Sequence, residues 1–109
     1  MYSVVWIGAH RTLARLATFP GALDQNAWSA SDRGTIVGDI AFDFEGQSTR
    51  GIVWQLPNPS PVDLNTLIDS ASGWKIESAR AINQKGVIAA VGRHPGLLGS
   101  RAVLLRPQP

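Results

Sequence analysis

Short apolar motifs recur along this chain about fifty residues apart, and this recurrence limits the fold more than any other feature. The Val-Val-Trp motif at 4–6 returns as Ile-Val-Trp at 52–54. A turn-and-strand pattern through 27–36 returns at 79–88. Repeats of this length that hold about four short strands are typical of β-propeller blades and related stacked β units. Each copy then carries an apolar sheet face that a neighbour has to cover.

The segments between turns have the character of β-strands. β-branched and aromatic residues dominate 2–7, 35–42 and 50–55; Gly8 ends the first run and a polar loop follows the second. Further strands are predicted at 12–18, 27–32, 74–83, 87–91 and 101–106, and 62–68 is open to a strand or one helical turn. We predict a single all-β domain over 1–109, with two propeller-blade-like antiparallel repeats at about 1–50 and 51–106. A compact β-sandwich or a curled barrel is the alternative.

Composition and charge narrow the function classes. The 109 residues are 44% hydrophobic and include no cysteine, so the chain can form a core but offers no disulfide framework and no thiol nucleophile. Ten Lys and Arg residues against eight Asp and Glu give a net charge of +2. Nucleic-acid binders concentrate their cations in a patch, whereas these are spaced almost evenly along the chain. The pattern therefore disfavours a nucleic-acid partner.

The amino-terminal apolar run, 4–7, is too short for a signal peptide or a membrane span. From the sequence as written we expect a cytoplasmic protein without a membrane partner.

The second copy resembles a known repeat family. Asp63-Leu-Asn-Thr-Leu67, Ala79-Arg-Ala-Ile-Asn83-Gln-Lys-Gly86-Val-Ile88, Gly92 and Arg101-Ala-Val-Leu-Leu105 are similar to the motifs of the HAF family of probable extracellular repeats. The resemblance covers 62–106 well and 1–55 more loosely. It departs from the family where Arg-Ala-Val and Arg-Gly-Ile replace the His-Ala-Phe signature. The resemblance implies extracellular β repeats with a binding or scaffolding role, and it supplies no catalytic residues.

Few residues have the spacing that a catalytic site or a metal site requires. His10 and His94 are the only imidazoles, and both are expected in solvated loops. Asp39, Asp43 and Glu45 form the densest acidic group. An ordinary polar hairpin loop explains it, and the alternatives are a calcium site or a glycosidase carboxylate pair. We predict no catalytic residue, no metal site and no cofactor.

The four tryptophans are the most informative residue type. Trp6 and Trp54 share a repeat position, which favours packing, whereas Trp28 and Trp74 do not repeat. Exposed aromatic residues near charged residues can form partner- or sugar-binding faces, with edge packing as the alternative. The candidate surface for a protein or carbohydrate ligand comprises Trp28, Trp74, Asp43, Glu45, Arg80 and His94.

These features favour a non-catalytic β-repeat binding module that self-associates into a homo-oligomer, because two units leave sheet edges without partners. A compact monomeric sandwich is the competing arrangement. The alternative functions are a hydrolase whose site forms between subunits, from Asp39, Asp43 and Glu45 with an Arg or His94, and a weak nucleic-acid binder.

Overall fold

The strands in the described part of the chain form three antiparallel sheets. The computed structural model describes residues 3–7, 12–43 and 48–107. Its strands are β1 (Ser3–Ile7), β2 (Thr12–Leu16), β3 (Asp24–Ala30), β4 (Thr35–Ala41), β5 (Thr49–Gln55), β6 (Val62–Asp63), β7 (Lys75–Ile82), β8 (Ile88–Arg93) and β9 (Arg101–Leu105). The sheet orders are β1-β2, β3-β4-β5-β6 and β7-β8-β9, with antiparallel pairing throughout. The all-β prediction is confirmed, and the described sheets are open rather than joined in a curled barrel.

The hairpins β3–β4 and β7–β8 match each other at an offset of 52 residues. Gly34 and Gly86 end their turns with φ of 81° and 83°, a region that glycine enters without steric cost. The strand register shifts just after Ala27 in one hairpin and just after Ala79 in the other. The same turn and the same bulge therefore recur at equivalent positions of the chain.

Alternating residues give the four-stranded sheet two buried faces. The Trp54 face carries Ile36, Ile40, Ile52 and Trp54, and Leu16 from the end of β2 packs on it. The opposite Val37 face carries Val37, Asp39, Gly51 and Val53. Strand β7 lies across this second face and contacts β3, β4 and β5. The central sheet is thus covered on both sides, in agreement with its nearly continuous apolar sequence.

The three-stranded sheet has one covered face and one uncovered face. Its Ile88 face carries Ile88, Ala90, Val103 and Leu105 and joins a core with Val37, Leu64, Ile76 and Ala79. Its open face carries Ala89, Val91, Ala102 and Leu104. Leu104 is 58% exposed. The Ile88 face is therefore the part of this sheet that belongs to the core.

Two 3-10 turns connect the four-stranded sheet to the three-stranded sheet. The ambiguous segment 62–68 contains both alternatives, since the short strand β6 is followed by a 3-10 turn at Leu64–Thr66. A second 3-10 turn at Ser70–Ser72 exceeds the expectation of at most one short helical turn. Asp69 caps it, because its Oδ1 accepts a hydrogen bond from the Ala71 N–H at 2.9 Å.

Candidate functional site

Trp28 and Arg80 form the first contacting pair among the predicted surface residues. Trp28 lies in the β3 bulge and is 47% exposed, and the Arg80 guanidinium carbon lies 4.9 Å from its ring centroid. Arg80 occupies the equivalent bulge in β7. A guanidinium over an indole face is a favourable cation–π arrangement. The pair therefore joins two sheets at equivalent positions.

Asp39 holds this pair in place from strand β4. Its carboxylate accepts hydrogen bonds from Trp28 Nε1 at 2.8 Å, from Ser78 Oγ at 2.6 Å and from Asn26 Nδ2 at 3.1 Å. Ser78 belongs to β7, so one carboxylate connects the four-stranded and three-stranded sheets. These contacts give Asp39 a structural explanation that requires no catalytic role.

Trp74 and His94 form the second contacting pair. Their ring centroids lie 5.2 Å apart, with an interplanar angle of 59°. The His94 ring accepts the Gly96 N–H at Nδ1 and lies 3.0 Å from the Ser72 carbonyl at Nε2. Backbone groups of Ser72 and Gly96 therefore hold the ring at both nitrogens. His94 lies in the loop between β8 and β9, as expected, where it is half-buried and has backbone partners at both ring nitrogens.

The remaining predicted site residues are less well defined. Asp43 is half-buried two residues after the end of β4, and it has an interaction partner. Glu45, His10 and the Trp6 side chain lie outside the described residues. Trp54 is fully buried, and its Nε1 donates to the Ala17 carbonyl at 3.2 Å. The six predicted surface residues thus yield two contacting pairs, Trp28 with Arg80 and Trp74 with His94.

Two ion pairs in the described ranges join charged side chains on neighbouring strands. Arg50 contacts Asp63 at 3.0 Å, and Arg93 contacts Glu77 at 3.1 Å. Within 3–7, 12–43 and 48–107, no group of three or more His, Cys, Asp and Glu residues is arranged to hold a metal ion. The calcium-site alternative for Asp39, Asp43 and Glu45 stays untested, because Glu45 lies outside the described residues.

A groove beside Leu105 was missed by the sequence reasoning. It has a volume of about 440 Å³ and lies between β9 and the connection that carries Ile68 and Trp74. Leu105 stands where Trp54 stands in the preceding sheet, at an offset of 51 residues. This substitution of a smaller residue at a repeat position was the signal in the sequence that could have identified the groove.

The open face of the three-stranded sheet was missed as well. Leu104 and Ala102 are equivalent to Val53 and Gly51, which lie under β7 in the preceding sheet. Counting strands indicated uncovered edges but could not say which face was uncovered. That assignment needs the packing of the two sheets.

The helical content bears on membrane insertion. In the part of the chain that the structure describes, the helical segments are 3-10 turns of three residues, and no helix is long and apolar enough to cross a membrane.

Comparison with known proteins found no matching family model, no similar curated protein and no similar solved structure.

Proposed function

We propose that this chain is a non-catalytic β-repeat interaction module that associates with a second copy of itself through the open face of its three-stranded sheet. The open face comprises Ala89, Val91, Ala102 and Leu104. The single observation that supports this proposal is the packing inside the chain: the equivalent face of the four-stranded sheet is covered by β7. The resemblance of 62–106 to HAF repeats is consistent with such a role.

The chemistry of the open face suits an apolar contact. Val91 replaces Asp39 of the equivalent face, and Leu104 replaces Val53. The first exchange removes a carboxylate, and the second adds apolar area. Exposed apolar side chains grouped on one sheet face can mark an interaction surface, and Leu104 is 58% exposed. The Glu77–Arg93 ion pair lies next to this face, because Arg93 follows Val91 in the strand alternation.

A second copy is the favoured occupant because the chain already packs one of its sheets on the equivalent face of another. The packing inside the chain joins unlike faces, the Val37 face and the Ile88 face. Symmetric pairing would instead join two open faces, bury the same residues on both copies and close the assembly as a dimer. The residues of the open face would then lie at the centre of the interface, where a charge has the greatest effect.

The test is the mass of the protein in solution, measured by light scattering over a range of concentrations. We expect a dimer whose population rises with concentration, and we expect Leu104→Lys and Ala102→Lys to shift it to monomer. Leu98→Lys is the matched control, because Leu98 is 91% exposed in the loop between β8 and β9. Circular dichroism would verify that each variant is folded. A monomer at every concentration, or equal dimerisation by all variants, would contradict the proposal.

A further inference from the structure

The Leu105 groove has one rigid apolar side and one polar rim. Ile76, 1% exposed, and the half-buried Val103 and Leu105 form part of its wall. Trp74 faces them from the connection between the sheets and is braced by the ring of His94. A volume of about 440 Å³ falls within the usual range for small-ligand sites.

The preceding sheet shows what kind of group fits beside these strands. Ile52 and Trp54 are the equivalents of Val103 and Leu105, at an offset of 51 residues. The Trp54 indole is completely buried, and its Nε1 donates a hydrogen bond to the backbone carbonyl of Ala17. Leucine is much smaller than tryptophan, so the three-stranded sheet keeps space where the other sheet holds an aromatic ring with an N–H donor.

The rim of the groove supplies acceptors for such a donor. Asp69 and Ser72 both line it. The Ala71 N–H holds Asp69 Oδ1 at 2.9 Å, which positions the carboxylate. A carboxylate has a second oxygen that can accept a further hydrogen bond. The carboxylate also favours a ligand that carries a donor over one that carries a negative charge.

We infer that the Leu105 groove binds a planar aromatic molecule of about indole size that carries an N–H donor. The ring would lie against Val103 and Leu105 with Trp74 on the other side, and the donor would point to Asp69. Val103 and Leu105 belong to the Ile88 face, whereas Leu104, which also lines the groove, belongs to the open face. The inference rests on the Ile88-face residues and not on the proposed self-association.

The probe is indole, titrated into ¹⁵N-labelled protein while amide and Trp side-chain signals are followed by NMR. We expect saturable shifts at Trp74, Val103 and Leu105, and weaker binding of naphthalene, which has similar size but no N–H donor. Leu105→Trp should fill the groove and weaken indole binding by about tenfold or more. Leu98→Trp is the matched control, since it adds the same side chain at an exposed loop position and should leave binding unchanged.

A second variant guards against misfolding of Leu105→Trp. Ile68→Trp would fill the groove from the connection between the sheets rather than from β9, and Ile68 is only half-buried. Folding is checked by the dispersion of the same NMR spectra. The inference is overturned if indole gives no saturable shifts in the folded wild type, if the shifts lie elsewhere, or if a folded groove-filling variant binds as well as the wild type. Equal affinity for naphthalene would overturn the assigned N–H donor.

Discussion

The guanidinium of Arg80 packs on the ring of Trp28, although the two residues are 52 positions apart in the chain. They occupy the same bulge position in two equivalent hairpins. The turns of these hairpins also touch, because Gln84 Oε1 accepts the Asp32 N–H at 2.8 Å, and these residues are again 52 apart. Contact between residues that share a repeat position indicates that the two hairpins stack in register.

The Trp28–Arg80 contact should contribute measurably to stability. A double-mutant cycle with Trp28→Leu and Arg80→Met is expected to give a coupling of about 0.5–1 kcal/mol, the range for exposed cation–π pairs. The free energy of unfolding would be measured by urea denaturation at one fixed protein concentration. Arg101→Met in place of Arg80→Met is the control cycle, with a coupling near zero. Equal coupling in both cycles would argue against stacking of the hairpins through this pair.

Asn65 should be the most important residue of the connection between the sheets. Its Oδ1 accepts the Ile76 N–H at 2.7 Å, and its Nδ2 donates to the Ile76 carbonyl at 3.0 Å. Asn65→Ala leaves the N–H and the carbonyl of buried Ile76 without this partner. We therefore expect the free energy of unfolding to fall by about 2–3 kcal/mol. Asn58→Ala is the control, because the Asn58 side chain accepts a local, exposed hydrogen bond from the Ser60 N–H. Similar losses in both variants would contradict the proposed role.

Gly38 should not tolerate a side chain. A Cβ there would lie 1.8 Å from the Asn26 carbonyl oxygen, so β3 and β4 would have to separate. We expect Gly38→Ala to cost more than about 3 kcal/mol, at or beyond the usual cost of overpacking. Gly99→Ala is the control for backbone strain without a clash, because Gly99 has φ of 72° but nothing within 4 Å of its Cβ position. That variant should lose only about 1 kcal/mol. Comparable unfolding midpoints for the two would contradict the close approach of the strands.

The motifs that carried the family resemblance have structural explanations in this chain. Asp63 caps the first 3-10 turn through the Asn65 N–H, and Thr66 donates to the Asp63 carbonyl. Asn83 Oδ1 accepts the N–H groups of Lys85 and Val87 in the β7–β8 turn. These residues hold a connection and a turn in shape, which is why a sequence pattern alone could reveal them without indicating a ligand.

Local chemistry explains why much of the fold was predictable. Strands β4 and β5 follow from runs of apolar and β-branched residues, and the turns at Gly34 and Gly86 follow from a glycine that accepts positive φ. The second 3-10 turn was missed because its cap, Asp69, sits among small polar residues without an apolar period. Whether His94 was solvated could not be read from a loop composition, since its partners, Ser72 and Trp74, come from another segment.

The sequence by itself determined most strands and their turns, because these depend on residues within a few positions of one another. It also determined the fifty-residue recurrence, because this follows from direct comparison of the two copies. Only the tertiary structure decided which face of each sheet is covered, that Asp39 reaches Ser78 across the two sheets, and that Leu105 lies beside a groove. The physical reason is that alternation along a strand defines two faces but does not say what packs on either. That choice depends on contacts between segments tens of residues apart, whose geometry exists only once the sheets have stacked.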